Sequence, residues 1–172
     1  DKNDVFKIGV AVSNNPEGPF ESTKNPIEGS YSMDPSVFKD DDGSYYMYLG
    51  GIWGGQLQRW DENGNYTEMG CETQDNGIPN SPAISPRIAK MSDDMIRFAE
   101  ELKPIRIVDN SGNPILTKDH DRRFFEAAWI HKHNGTYYLS YSTGNTHYIV
   151  YATGDNPYGP FVYQGILNEP VQ

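Results

Sequence analysis

Asn134-Gly135-Thr136-Tyr137-Tyr138-Leu139 repeats, 92 residues on, the pattern of Asp42-Gly43-Ser44-Tyr45-Tyr46-Met47. In each copy an Asp-Gly or Asn-Gly pair separates apolar runs. Ser36 to Lys39 and Tyr45 to Gly50 flank the first; Trp129 to His133 and Tyr137 to Ser142 flank the second. Such pairs are the strongest short-range hairpin signal, because both residues of a two-residue turn must take positive φ. The same offset places Asp34 on Glu126, so a carboxylate stands eight residues before each turn. A second correspondence, at offset 141, joins Asn15-Pro16-Glu17-Gly18-Pro19-Phe20 to Asn156-Pro157-Tyr158-Gly159-Pro160-Phe161. Unequal offsets describe units of unequal length, with insertions after Gly51 and around Asn110 to Arg123. Antiparallel units that each begin with an acidic residue suit a β-propeller, whose innermost strands converge on one axis. The competing reading is a β-sandwich with one accidental hairpin similarity.

Outward from the repeat, Phe6 to Ser13 reads as a strand running into a turn, and Gln56 to Trp60, Pro86 to Met91 and Ile105 to Asp109 read as strands. Ser92 to Leu102 is the exception: Met95, Phe98, Ala99 and Leu102 have helical spacing behind a Ser92 cap, which predicts one or two helical turns. The chain then holds the outer part of one unit, Phe6 to Phe20, and two longer units beginning near Asp34 and Glu126. A closed propeller needs about four to eight blades, so residues 1–172 are expected to be a partial propeller of about two to three blades, its N-terminal and C-terminal blades lying elsewhere.

Composition narrows the function. Lys and Arg number 14 against 24 Asp and Glu, a net charge of −10 without a basic run. That balance argues against nucleic acid, whose binding depends on neutralising phosphates. No apolar stretch approaches the roughly 20 residues of a membrane span, and Asp1-Lys2-Asn3-Asp4 is no signal peptide. A single cysteine, Cys71, permits neither an internal disulfide nor a cysteine-based zinc site. The compartment stays open between an extracellular or periplasmic setting and the cytoplasm. Twelve Tyr, seven Phe and three Trp supply the apolar bulk of a turn-rich, all-β chain.

Ser32-Met33-Asp34-Pro35-Ser36-Val37-Phe38 before Asp41-Asp42-Gly43, and Phe124-Phe125-Glu126-Ala127-Ala128-Trp129 before Asn134-Gly135, resemble glycoside hydrolase family 43. Val10-Ala11-Val12-Ser13 with Gly18-Pro19-Phe20, and Tyr141-Ser142-Thr143-Gly144-Asn145-Thr146-His147, extend the resemblance over essentially the whole chain in the family's order. The nearest members are β-xylosidases and α-L-arabinofuranosidases. The resemblance implies a five-bladed β-propeller of inverting glycosidases acting on xylan- or arabinan-type pentosans. It also implies three carboxylates: an Asp general base, a second Asp that orients and tunes the acid, and a Glu general acid. Asp34 matches the second and Glu126 the third. The base's Asp-Pro motif belongs before Phe6; Asp1 and Asp4 have no such context, so the base is expected outside these residues and the isolated chain is expected to be inactive. No cofactor is implied beyond a structural calcium in the full-length fold. The implied partners are a pentose-containing oligosaccharide or polysaccharide and the remaining propeller segments of the parent protein, with no nucleic acid and no membrane.

The two carboxylates suit that chemistry. An inverting enzyme protonates the leaving oxygen from one face and activates water from the other. Free Glu titrates near about 4.3, so the acid must be held neutral. An ionised Asp34 and the desolvating rings of Phe124, Phe125 and Trp129 would do so. The plain alternatives are a turn residue before Pro35 and a charged strand end. Trp129 and Phe125 are candidates to border a sugar, and His147 is either a subsite residue or a polar loop histidine. Trp53 and Trp60 read as core. Asp119, His120 and Asp121 have the donor types of a metal site but read as a solvated loop, and no metal ligand is assigned. Arg122 and Arg123 reach either a sugar hydroxyl or, as the safer reading, acidic neighbours. Asn65-Tyr66-Thr67 and Asn134-Gly135-Thr136 are formal glycosylation sequons, the second better explained as turn chemistry. The alternative function is a non-catalytic carbohydrate-binding propeller; a scaffold without a sugar site has less support. Xylose and arabinose are not distinguished.

Overall fold

The computed structural model describes residues 5–68 and 80–169. Asp1, Asp4 and Cys71 lie outside them. The described residues form three sheets and contain no α-helix. A two-stranded ribbon pairs β1 (Ala11–Val12) with β2 (Glu21–Ser22). An antiparallel sheet follows in chain order: β3 (Ser36–Lys39), β4 (Tyr45–Leu49), β5 (Arg87–Lys90) and β6 (Lys103–Pro104). The third sheet contains β7 (Ile107–Val108), β8 (Glu126–His133), β9 (Thr136–Ser142), β10 (Ile149–Gly154) and β11 (Phe161–Asn168). Its order is β7-β11-β10-β9-β8, with β7 parallel to β11 and the other pairs antiparallel.

Alternation decides what each strand buries. On β9, Tyr137, Leu139 and Tyr141 are buried while the residues between them are half-exposed. These three join Ala128, Ile130, Val150 and Phe161 against Tyr46, Tyr48 and Ile88 of the neighbouring sheet. The alternate residues of β4, Met47 and Leu49, enter a second core with Ile8, Ile27 and Met91. The sheet β3–β6 is thus a middle layer, apolar on both faces. The fold is all-β, and a middle layer with a core on each face has the stacking of successive propeller blades rather than of a two-sheet sandwich.

The first strands of the two larger sheets lie side by side. Ser36 Oγ donates to the Ala128 carbonyl at 2.7 Å, and Lys132 Nζ meets Asp40 Oδ1 at 2.7 Å. Both pairs are 92 residues apart, so the sequence repeat joins equivalent positions of adjacent blades that touch.

Four local expectations are corrected. Asn134 (φ 48°) and Gly135 (φ 80°) form the two-residue turn expected, but of Asp42-Gly43 only Gly43 (φ 86°) is left-handed. There the Asp40 amide donates to Ser44 O and the Gly43 amide to Asp40 O, a longer loop whose Asp42 Oδ1 accepts from the Ser44 amide. Ser92 to Leu102 is not helical. Ser92 Oγ donates to Asp94 Oδ1, Met95 is left-handed (φ 61°), and the Ala99 amide returns to Lys90 O. Local side-chain bonds of Ser and Asp competed with the helix, and the segment reverses as the connection from β5 to β6. Gln56 to Trp60 forms 3-10 turns, Trp53–Gly55 and Leu57–Arg59, around a left-handed Gln56 (φ 64°), and Phe6 to Ser13 contributes only β1.

Candidate active site

Asp34 precedes β3 in a segment with two left-handed residues, Ser32 (φ 64°) and Asp34 itself (φ 54°). Buried Ser32 holds that shape: its hydroxyl accepts from the Gly51 amide at 3.0 Å and donates to the Gly55 carbonyl at 2.7 Å. Glu126 opens β8. The ladder with β9 slips between Glu126, opposite Ser142, and Trp129, opposite Ser140, and Ala127 takes φ 59° at the slip. Bulges of this kind re-aim a side chain at a sheet edge.

Residues 50–55 tie the two segments together. The Gly50 amide donates to Met33 O at 2.8 Å and the Ile52 amide to Phe125 O at 2.9 Å, so one short stretch is bonded beside both carboxylates. Gly51 lies between them: a Cβ there would stand 3.1 Å from the Met33 side chain and 3.4 Å from Glu126 Cβ. At Gly55 the Met33 side chain would be 2.9 Å away. This bridge was missed in the sequence. Its signal is the cluster Gly50-Gly51 and Gly54-Gly55, where absent side chains let backbone and Met33 approach.

The half-buried Glu126 carboxyl is pushed above the usual carboxylate range, first by desolvation and then by the negative charge of Asp34, while His147 opposes the shift. Asp34, at the equivalent repeat position, therefore acts electrostatically on Glu126, and His147 of the β9–β10 loop acts on the same group in the opposite sense.

The remaining candidates separate. Phe125 packs edge-on against Trp53 at 5.0 Å and lies under Gly144, where a Cβ would meet its ring at 2.3 Å. Phe124 is buried, but Trp129 is 60% exposed on the open face of its sheet and shields Glu126 little. Trp60 stacks on Tyr31 at 4.4 Å in the core, as read from the sequence. Arg122 Nε pairs with Asp119 Oδ2 at 2.7 Å, the acidic-neighbour reading, whereas buried Arg123 turns to His120 and Asn145. Asn65 is held in a turn by Asp61. Among the described residues no three His, Cys, Asp or Glu side chains converge to hold a metal ion. A groove of 820 Å³ borders Tyr31, Trp60 and Glu100 but neither Asp34 nor Glu126.

Comparison with known proteins follows the same lines. A family model described as glycosyl hydrolases family 43 matches residues 1–166. A xylosidase/arabinosidase of Humicola insolens is 57% identical over 99% of this chain and 53% of its own length. One of Bacteroides ovatus is 54% identical over 99% of this chain and 51% of its length. Among solved structures, a β-xylosidase/α-arabinofuranosidase from a compost microbial metagenome, in complex with xylotriose and calcium-free, is 68% identical with a TM-score of 0.95. That match covers 99% of this chain and 52% of the other. A Xanthomonas citri enzyme complexed with xylotriose is 51% identical with a TM-score of 0.92, covering 98% of this chain and 50% of its own. The chain thus spans about half the length of the curated relatives it matches.

Proposed function

The chain belongs to glycosyl hydrolase family 43, and on that premise we propose that residues 1–172 are the part of a pentosan-cleaving glycosidase that carries the proton donor, Glu126, and its modulator, Asp34. The substrates are xylan- or arabinan-type chains, a reading supported by relatives named xylosidase/arabinosidase and by two similar structures holding xylotriose. Glu126 protonates the glycosidic oxygen as the bond to the anomeric carbon breaks. A carboxylate from another part of the longer protein takes a proton from water, whose oxygen attacks the opposite face, so the configuration inverts. Asp34 keeps the Glu126 proton in place until it is needed. Phe125 and His147 are the side chains proposed to border the sugar, whereas Trp129 lies on the open face of its sheet.

One observation carries this reading: Glu126 is half-buried and raised by burial and by Asp34, a partner at the same repeat position. An acid that must be neutral near its working pH needs that arrangement. The test is Glu126→Gln in the full-length protein on two leaving groups. Turnover of alkyl xylosides should fall by about 10³-fold or more, while an activated aryl xyloside, which departs with little protonation, should lose far less. Equal losses on both would place the pair in sugar binding and favour the non-catalytic carbohydrate-binding propeller.

A further inference from the structure

Arg123 is a charged side chain only 2% exposed, three residues before Glu126. Its Nη2 lies 3.3 Å from Asn145 Oδ1 and 3.2 Å from His120 Nδ1, and its Nε lies 3.4 Å from the same His120 nitrogen. A guanidinium has only donors, so His120 Nδ1 is the acceptor in these contacts. Asn145 belongs to the loop between β9 and β10, and the loop is fastened elsewhere as well. Thr146 Oγ1 donates to His120 O at 3.2 Å, and Thr143 Oγ1 and Thr146 Oγ1 are 2.7 Å apart. The Phe125 ring fills the space under left-handed Gly144. At the far end of this loop stands His147, itself left-handed (φ 55°), its amide bonded to Gly144 O at 2.8 Å.

The segment that delivers Glu126 therefore grips the loop that delivers His147. We propose that Arg123 and Asn145 are positioning residues that clamp the β9–β10 loop and hold His147 beside the Glu126 carboxyl; this rests on Glu126 being the proton donor. Asp34, from the segment before β3, and His147, from the loop, act on Glu126, and among the described residues His120 is a titratable group bonded to Arg123. His147 lowers the Glu126 pKa, so a loop that drifts away leaves the acid protonated to higher pH.

The experiment compares kcat/KM against pH for Asn145→Ala, His147→Ala and the double variant in the full-length protein. Asn145 is exposed, so its truncation leaves folding intact, which a thermal melt checks. Asn145→Ala should lower kcat/KM by about 10-fold through misplacement of the loop, with the basic limb moved to higher pH. His147→Ala should move the limb the same way, and the double variant should be no worse than His147→Ala alone. Arg123→Lys, which keeps the charge but loses the fork, should follow Asn145→Ala. Multiplicative losses in the double variant, or an unmoved basic limb in Asn145→Ala, overturn the clamp while an inactive Glu126→Gln leaves the proton donor standing. A fully active Glu126→Gln in the same assay overturns both.

Discussion

Asp34 raises the Glu126 pKa and His147 lowers it, and this opposition gives two predictions of opposite sign. Asp34→Asn removes the negative charge, so Glu126 ionises at lower pH and the basic limb of the kcat/KM profile moves down. His147→Gln removes the imidazole that opposes the shift and moves that limb up. One pH series on both variants checks the pair, and movement in the same direction would separate the limb from Glu126. Gly51→Ala tests the bridge: the added methyl presses on Met33 at about 3.1 Å and next to Glu126 Cβ. Because a shift of an ångström at a reacting group costs up to about 100-fold, kcat/KM should fall by about 10-fold or more with little change in melting temperature. The carboxylates were legible in the sequence because acidic residues at one repeat position stand out among apolar strands. Gly51 was not, since its contribution is an absent side chain, visible only once Met33 is seen against it.

At the scale of the strand, the equivalent residues of adjacent blades form a clasp. Asp40 is buried at the end of β3; Lys132 of β8 meets it at 2.7 Å, Tyr137 of β9 donates to it at 2.5 Å, and the Asp41 amide donates at 2.7 Å. Burial pushes the Asp40 carboxyl up, but the bonds from Lys132, Tyr137 and the backbone outweigh it and leave the group below the usual carboxylate range. A depressed folded pKa gives stability that is present above the unfolded value and lost as pH falls through the folded one. Asp40→Asn should therefore flatten the loss of melting temperature between about pH 5 and pH 2 relative to the parent. Tyr137→Phe removes one bond to a charged acceptor and should cost about 2 kcal/mol in urea unfolding near neutral pH. The hairpins on either side of this clasp were readable because alternation and turn chemistry agree there. Ser92 to Leu102 misled because its apolar spacing suits a helix while the hydroxyl of Ser92 and the carboxylate of Asp94 hold a tight reversal, a competition that spacing does not register.

Across the whole molecule, the sheets stack in layers, and a layer's position determines whether its outer face needs covering. The middle sheet β3–β6 has Tyr46 and Tyr48 in one core and Met47 and Leu49 in the other. The sheet β7–β11 has the same two-sided character, with one face buried against the middle layer. Its other face carries Trp129 at 60% and Ile149 at 37% exposure, with Tyr138 stacked between His131 and Tyr151 at 4.9 and 6.4 Å. Water on such a face is unfavourable in proportion to its apolar area. The curated relatives that this chain matches are about twice its length, and a further sheet of a longer parent protein is the cover we propose for this face. Expressed alone, the 172-residue chain should self-associate and turn over neither aryl xylosides nor arabinofuranosides, the first by light scattering and the second by release of the aryl group. The decisive variant pairs Ile149→Lys with Tyr151→Glu, both opposite β9 on this face. In the isolated chain the added charges should raise the monomer fraction, because they replace apolar surface that otherwise pairs with another copy. In the full-length protein the same charges would be pressed against a further sheet, and the melting temperature should fall by several degrees, about what 1–3 kcal/mol removes from a domain of this size. A variant that leaves the full-length protein's melting temperature unchanged would mean that this face meets water in the complete protein as well.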